Sequence, residues 1–353
     1  MFSGFWRRLS GKGNEPVTEA TASAPADAPP VASEPAPERA DAAPAEASAA
    51  PAEAAPRPGF ATEASLLRSL NWRCRVLMEG ASREAKASDG PALVEGIRTA
   101  NDSVIRQPPI AAQRALVVAG NPNTPLQEIT ELFERDPMLA QGLLKTANSI
   151  YYRRDGAPIT SLYAGVQRIG TKGVQGVLMT SMVQQMLCRP GGSFDALVQR
   201  VWSHMQRTAP IARAIAPVFR VDPESAYSLA LLHDVGKLVV FDHISRLRHD
   251  HRREVRMPEP FLGQLLLHLH EPVGGLAVLR WDLGGEAAHA VAEHHRRPVP
   301  SVPDPVTECL FVAEAVELAH ANFTKLDWEK IWQAGGITAD AVQVQECLAT
   351  LES

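Results

Sequence analysis

Histidine is missing from the first 203 residues of this 353-residue chain; all eleven histidines lie at or beyond His204. Cysteine is scarce as well. Cys74, Cys188, Cys309 and Cys347 are scattered, with no C-x-x-C pair and no dense spacing, which excludes a disulfide framework or a thiolate knuckle and leaves reduced thiols. No apolar run approaches the ~18 residues of a membrane-spanning helix, and the N-terminus lacks the 7–15-residue apolar core of a signal peptide. The expected compartment is the cytoplasm. No long Lys/Arg run is present, so direct nucleic-acid binding is not expected. Period-two alternation of apolar and polar residues is nowhere sustained, which argues against sheet and for an all-α fold.

The first sixth of the chain lacks the means to form a core. From Glu15 to Pro58 it is mostly Ala, Pro and acidic residues, and Val17 and Val31 are its only large aliphatic side chains. Such a segment cannot bury enough apolar surface to offset the entropy lost on ordering, so residues 1–58 read as a tail or tether. Eight Asp/Glu against two Arg give residues 15–58 a charge of −6, and the first fourteen residues add +3. With −5 overall, the remaining body is near −2. At the very start, Phe2, Phe5, Trp6 and Leu9 recur at helical spacing beside Arg7, Arg8 and Lys12. Residues 1–12 could lie on an anionic membrane or dock a partner; the simpler alternative is a frayed terminus.

Beyond the tail the chain carries the punctuation of helices. Leu66, Leu67, Leu70, Val76 and Leu77 recur at three- and four-residue intervals from Thr62. A second helix is expected from about Pro91 to Ile105 after the Asp89-Gly90-Pro91 break, and residues 59–105 read as a helical linker region. Gln107-Pro108-Pro109 opens the main domain, assigned to 106–300. Thr124 is the expected N-cap of a helix from Pro125 to Arg135, and Asp136-Pro137 starts the next, towards Asn148. Further helices fit Ser161–Ile169, Lys172–Leu187, Phe194–Val218, Pro223–Leu232, Phe261–Leu267, Pro272–Trp281, Glu286–His295 and Pro305–Ala321. Residues 301–353 read as a helical extension whose last part carries Trp328, Trp332 and Leu348.

Chemistry is concentrated in the histidine-bearing half. In Leu231-Leu232-His233-Asp234-Val235-Gly236-Lys237-Leu238, a His-Asp pair follows an apolar run. Adjacent helical side chains diverge by about 100°, so both could face one ion only at a bend, and Gly236 is placed to provide it. A buried Asp is costly unless paired or cation-bound. His204, His270, His294 and His295 lie in comparable apolar, helix-forming contexts, and imidazole with carboxylate suits Mn, Fe, Zn or Ni. Spacing alone does not show that they converge. His243, His249, His251, His268, His289 and His320 read as exposed or core-edge residues, and Asn148-Ser149 as a cap or turn.

"ALLHDVGKL" resembles the signature of the HD superfamily of metal-dependent phosphohydrolases, and Val201-Trp202-Ser203-His204 resembles the helix supplying its first histidine. "ERDPMLAQGLLKTANSIYY" (134–152), "ITSLYAGVQRIGTKGVQGVL" (159–178) and "WDLGGEAAHAVAEHH" (281–295) together resemble the HDOD domain, the HD-related output domain of bacterial signalling proteins, from about Gln107 to Pro298. The resemblance implies a multi-helix bundle and a divalent metal, Mn, Fe, Zn, Ni or Mg. It assigns the ligands to His204, His233, Asp234, His270, His294 and His295. Where the superfamily places a late Asp, Glu314 stands instead. The cyclic-dinucleotide phosphodiesterase branch carries Gly-Tyr-Pro soon after its paired histidines; His295-Arg296-Arg297-Pro298 departs from it.

The resemblance implies two possible functions. One is a regulatory protein whose domain serves as a scaffold for a signalling partner or for self-association, its histidines left over from an ancestral site. The other is a metal-dependent phosphohydrolase or phosphodiesterase, in which the cation would activate water and shield phosphoryl charge. Lys237 would be its candidate catalytic side chain, joined by Arg296 and Arg297 on the substrate phosphate.

Overall fold

The computed structural model describes residues 60–149, 151–153, 157–188, 194–251, 255–295 and 303–352. The tail assigned to 1–58, the amphipathic start at 1–12, and Arg296 and Arg297 lie outside them. The described residues are helical and contain no strand. In chain order the helices are α1 (Glu63–Gly80), α2 (Arg83–Lys86), α3 (Gly90–Thr99), α4 (Ile110–Gly120), α5 (Leu126–Glu134), α6 (Pro137–Ala147), α7 (Leu162–Leu187), α8 (Asp195–Ile215), α9 (Pro223–Ala230), α10 (Val235–His251), α11 (Glu259–Arg280), α12 (Gly285–Ala292), α13 (Pro305–Ala321), α14 (Trp328–Gly335) and α15 (Ala341–Glu352). None is long and apolar enough to cross a membrane.

Local chemistry starts most of these helices. Thr62 and Ser65 form a reciprocal capping box on α1. Asp136 accepts from the backbone N–H groups of Met138 and Leu139 at 2.8 and 3.3 Å, with Pro137 at the first helical position, as the sequence predicts. Thr124 does not cap α5. Its hydroxyl donates to the Val118 carbonyl at 2.8 Å, tying the α4–α5 turn instead. The helix expected to end near Ile105 stops at Thr99, where Ala100 takes a left-handed conformation at φ 45°. Between Ser161 and Leu187 the two expected helices are one run broken at Gly170, whose φ of 68° suits glycine.

Apolar clusters form between these helices among the described residues. Helices α4 to α7 enclose Ile129, Phe133, Leu143, Val166 and Val174. Helices α8, α9 and α13 enclose Ala212, Ile215, Ala230, Leu310 and Val312, and Trp332 and Leu348 of the C-terminal helices pack against that group. Glu308, fully buried, accepts from the backbone N–H and the hydroxyl of Thr338 at 2.8 and 2.7 Å and so anchors the final segment. Asn148 bridges to Ile159 in both directions, at 2.8 and 2.7 Å, closing the loop between α6 and α7.

Helices α10, α11 and α12 pack in sequence, and α1 lies on α11. The first of these approaches is unusually close. A Cβ on Gly236 would lie 1.9 Å from the His270 carbonyl oxygen and 2.7 Å from the Gly274 nitrogen. Gly236 therefore does not supply the bend at the His-Asp pair. The bend is the turn at 231–234 between α9 and α10, and Gly236 instead lets two helix backbones touch.

Candidate metal centre

Five segments, three helices and two turns, deliver the predicted ligands to one place. His204 comes from α8, His233 and Asp234 from the turn before α10, His270 from α11, His294 and His295 from the turn after α12, and Glu314 from α13. One ligand atom from each of Asp234, His270, His294 and His295 lies within 4.8 Å of the others, and the same holds for His204, His233 and Glu314. The turn at 231–234 solves the problem that neighbouring side chains diverge on a helix. The Gly236–His270 contact brings α11 near enough for His270 to reach the carboxylate.

Asp234 stands between the two groups. Its Oδ2 is 3.8 Å from His204 Nε2 and 3.6 Å from His233 Nε2. Its Oδ1 is 3.6 Å from His270 Nε2 and 3.7 Å from His294 Nε2. His295 Nδ1 lies 3.2 Å from Glu314 Oε2, and His204 Nε2 lies 3.9 Å from Glu314 Oε1. Lys237 is buried with its Nζ 2.6 Å from Asp234 Oδ2. That geometry makes it a charge partner of the central carboxylate.

Tautomers decide which nitrogens face inward. Nδ1 of His233, His270 and His294 each sits 2.7 Å from a main-chain oxygen, of Ala230, Leu266 and Val291 respectively. A carbonyl only accepts, so each Nδ1 carries the proton and each Nε2 presents a lone pair. His204 Nδ1 donates in the same way to Glu317 Oε2 at 2.5 Å, and Glu317 is held in turn by Arg207 at 2.6 Å. His204 Nε2 and His233 Nε2 then meet at 3.1 Å, and His270 Nε2 and His295 Nε2 at 3.0 Å. In the His204–His233 pair two lone pairs at such a distance repel unless a proton or a cation lies between them.

Electrostatics agree with the geometry. Burial opposes ionisation of Asp234, yet Lys237 and the imidazoles of His233, His270 and His204 hold its carboxyl well below the usual range. Burial likewise opposes ionisation of Glu314, which His295, His294 and His233 overcome. Burial drives His233, His270 and His294 down towards the neutral, ligating form. His295 alone moves up: burial acts against it, but Glu314 and Glu271 outweigh that. Asp234 Oδ1 and His294 Nε2 are buried with no hydrogen-bond partner. An imidazole-carboxylate set with orphaned inward atoms fits a divalent cation, which such ligands bind at about 2.0–2.2 Å.

Sequence reasoning missed Glu317 and Arg207. Their signal was available only as spacing: Arg207 is three residues after His204, and Glu317 three after Glu314, so each shares a helical face with a candidate ligand. Carboxylates that receive a ligand histidine's second N–H fix its orientation and raise its basicity. Among the other histidines, His249 and His320 are exposed, His268 is half-buried, and His289 pairs with Asp304 at 2.8 Å. His243 departs from the core-edge expectation, being buried with its Nδ1 2.9 Å from the Ser103 carbonyl. The side chain of His251 lies outside the described residues.

Fold and site together define an all-helical domain built around a buried imidazole-carboxylate centre. The chain belongs to the HDOD domain family, whose profile matches residues 105–297, over half its length. Among solved structures it is similar to a candidate metal-dependent phosphohydrolase from Shewanella amazonensis SB2B, at 18% identity and a TM-score of 0.53, covering 73% of this chain and 97% of that one. An HDOD domain protein of unknown function from Geobacter sulfurreducens is similar at 18% identity and a TM-score of 0.51, covering 81% and 94%. A candidate signal transduction protein from Marinobacter aquaeolei VT8 matches at 18% and 0.51, covering 83% and 64%. These likenesses establish a shared fold. No curated protein matches the chain.

Proposed function

We propose that this is a bacterial signal-transduction protein whose HDOD domain acts as an interaction scaffold and holds a divalent metal centre. The observation that carries the metal is the pair of buried inward atoms that lack a hydrogen bond, Asp234 Oδ1 and His294 Nε2. His204, His233, Asp234, His270, His294, His295 and Glu314 would hold it, with Glu317 orienting His204. Mn, Fe, Zn or Ni suits so many imidazoles better than Mg, which prefers oxygen. The enclosure of the set supports a scaffold: the side chains of Asp234, His270 and His294 are 0–1% exposed. The partner would be another signalling protein or a second copy of this chain, met in the cytoplasm, with residues 1–12 as a further contact to a partner or a membrane surface.

One observation favours a metal-dependent phosphohydrolase as the second reading. The ligands divide between the two oxygens of Asp234, which suits a carboxylate shared by two cations. A bound ion would supply Lewis acidity towards water and phosphoryl oxygen.

Metal analysis of the purified full chain and of His233→Ala, with a generic phosphodiester as probe, separates the readings. Near-stoichiometric metal that the variant loses, without turnover, is the expected result. Metal-free parent protein would sink the metal centre. Turnover abolished by His233→Ala would replace the scaffold with the enzyme.

A further inference from the structure

Helix α11 contains a proline where regular hydrogen bonding should fail. Pro272 has no N–H, so the carbonyl of His268, four residues earlier, loses its helical donor. The sequence pattern accordingly splits this segment into two helices, ending one at Leu267 and beginning the next at Pro272. The structure keeps it continuous from Glu259 to Arg280. The missing donor is replaced from outside: Arg73 Nη1 of α1 donates to the His268 carbonyl at 3.3 Å.

The same guanidinium is ion-paired to Glu271, with both side chains 5% exposed. Arg73 thus holds the chain at residues 268 and 271, on either side of the ligand His270. The seat is close, since a Cβ on Gly275 would lie 2.9 Å from Leu66 Cδ2 of α1. Arg73 itself lies outside the segment 105–297 that matches the family profile.

We propose that Arg73 is a positioning residue of the metal centre, supplying from the N-terminal helices the hydrogen bond that Pro272 denies α11 and so fixing His270. The inference rests on the metal reading above. Helices α1 to α3 are then a working part of the site, because any displacement of α1 reaches His270 through one side chain. Lysine would not substitute well: it keeps the charge on Glu271 but lacks the reach and fixed fork of the guanidinium.

The test measures Mn2+ affinity and the melting temperature of the metal-free full chain in parent, Arg73→Lys, Pro272→Ala and the double variant. Arg73→Lys is expected to weaken Mn2+ binding about tenfold, as loss of an orienting group does, and the double variant to return within about twofold of the parent. Pro272→Ala restores the N–H donor, so by itself it should bind like the parent. A merely structural role for Arg73 would lower the melting temperature and leave the affinity of the folded protein unchanged. That result, or a loss that Pro272→Ala fails to repair, overturns the proposal. If Arg73→Lys does not fold, recovery of a folded, Mn2+-binding double variant supports it, and a double variant still unfolded overturns it. A parent that takes up no Mn2+ would sink the metal centre and this role together, whereas a parent that binds and an Arg73→Lys variant that binds equally well remove the role alone.

Discussion

The interior around Phe133 and the interior around Asp234 belong to one chain but are stabilised in different ways. Around Phe133, helices α4 to α7 bury alanine, valine, isoleucine, leucine and phenylalanine against one another. Nothing in that group needs a charge partner, and its stability comes from apolar area and close packing. Around Asp234, by contrast, His204, His233, Lys237, His270, His294, Glu314 and Glu317 are all buried. Each of those groups costs free energy to desolvate, and the cost is offset by mutual pairing and by carbonyl acceptors for the Nδ1 protons, to which the proposed cation would add. The second interior is thus specified by charge balance, and so should respond to protons, and to the proposed metal, where the first should not.

The largest expected effect should come from removing the hub of the polar interior. Asp234→Ala removes the carboxylate 2.6 Å from the buried Lys237 and should cost about 3–5 kcal/mol in urea denaturation while abolishing metal uptake. Phe133→Ala should cost about 3–5 kcal/mol as well, through the cavity it leaves, but metal stoichiometry in the protein that remains folded should stay that of the parent. If both variants lost metal equally, the separation of the two interiors would be wrong.

A smaller effect sharpens the contrast through pH. His233, His270 and His294 are held below the ordinary imidazole range in the folded state, so below about pH 6.5 the unfolded chain takes up protons that the folded chain refuses. Their contribution is complete above that pH and is lost as pH falls towards the depressed values. His295, shifted up, titrates in the opposite sense and softens the slope. Metal-free protein should therefore lose melting temperature from about pH 6.5 downward, and Mn2+ should oppose the loss. In a His233→Ala, His270→Ala, His294→Ala triple variant the slope should flatten, since the apolar interior has nothing to titrate; an unchanged slope would place the acid sensitivity elsewhere.

Much of this contrast is already legible along the chain. The absence of histidine before residue 204 marks the apolar half, and the ordered series from His204 to Glu314 marks the polar one. Helix starts at Asp136-Pro137 and Ser161 were readable because capping is local chemistry. The continuity of α11 was not, because the donor that rescues Pro272 comes from Arg73, some two hundred residues away. Glu317 was missed for a related reason: a carboxylate outside any motif acquires its role only when His204 of another helix points its Nδ1 at it.

Periodicity, caps and the lack of any alternating pattern therefore determined that this protein is all-helical, and the family blocks marked which side chains are candidates for its chemistry. Those are properties of residues within a few positions of one another. The tertiary structure alone decided that seven ligand-type groups meet, that Asp234 divides them between its two oxygens, and that Gly236 serves close helix contact while the turn before it makes the bend. Such facts depend on which backbones approach and which buried charges find partners, and both are set by contacts between segments distant in sequence.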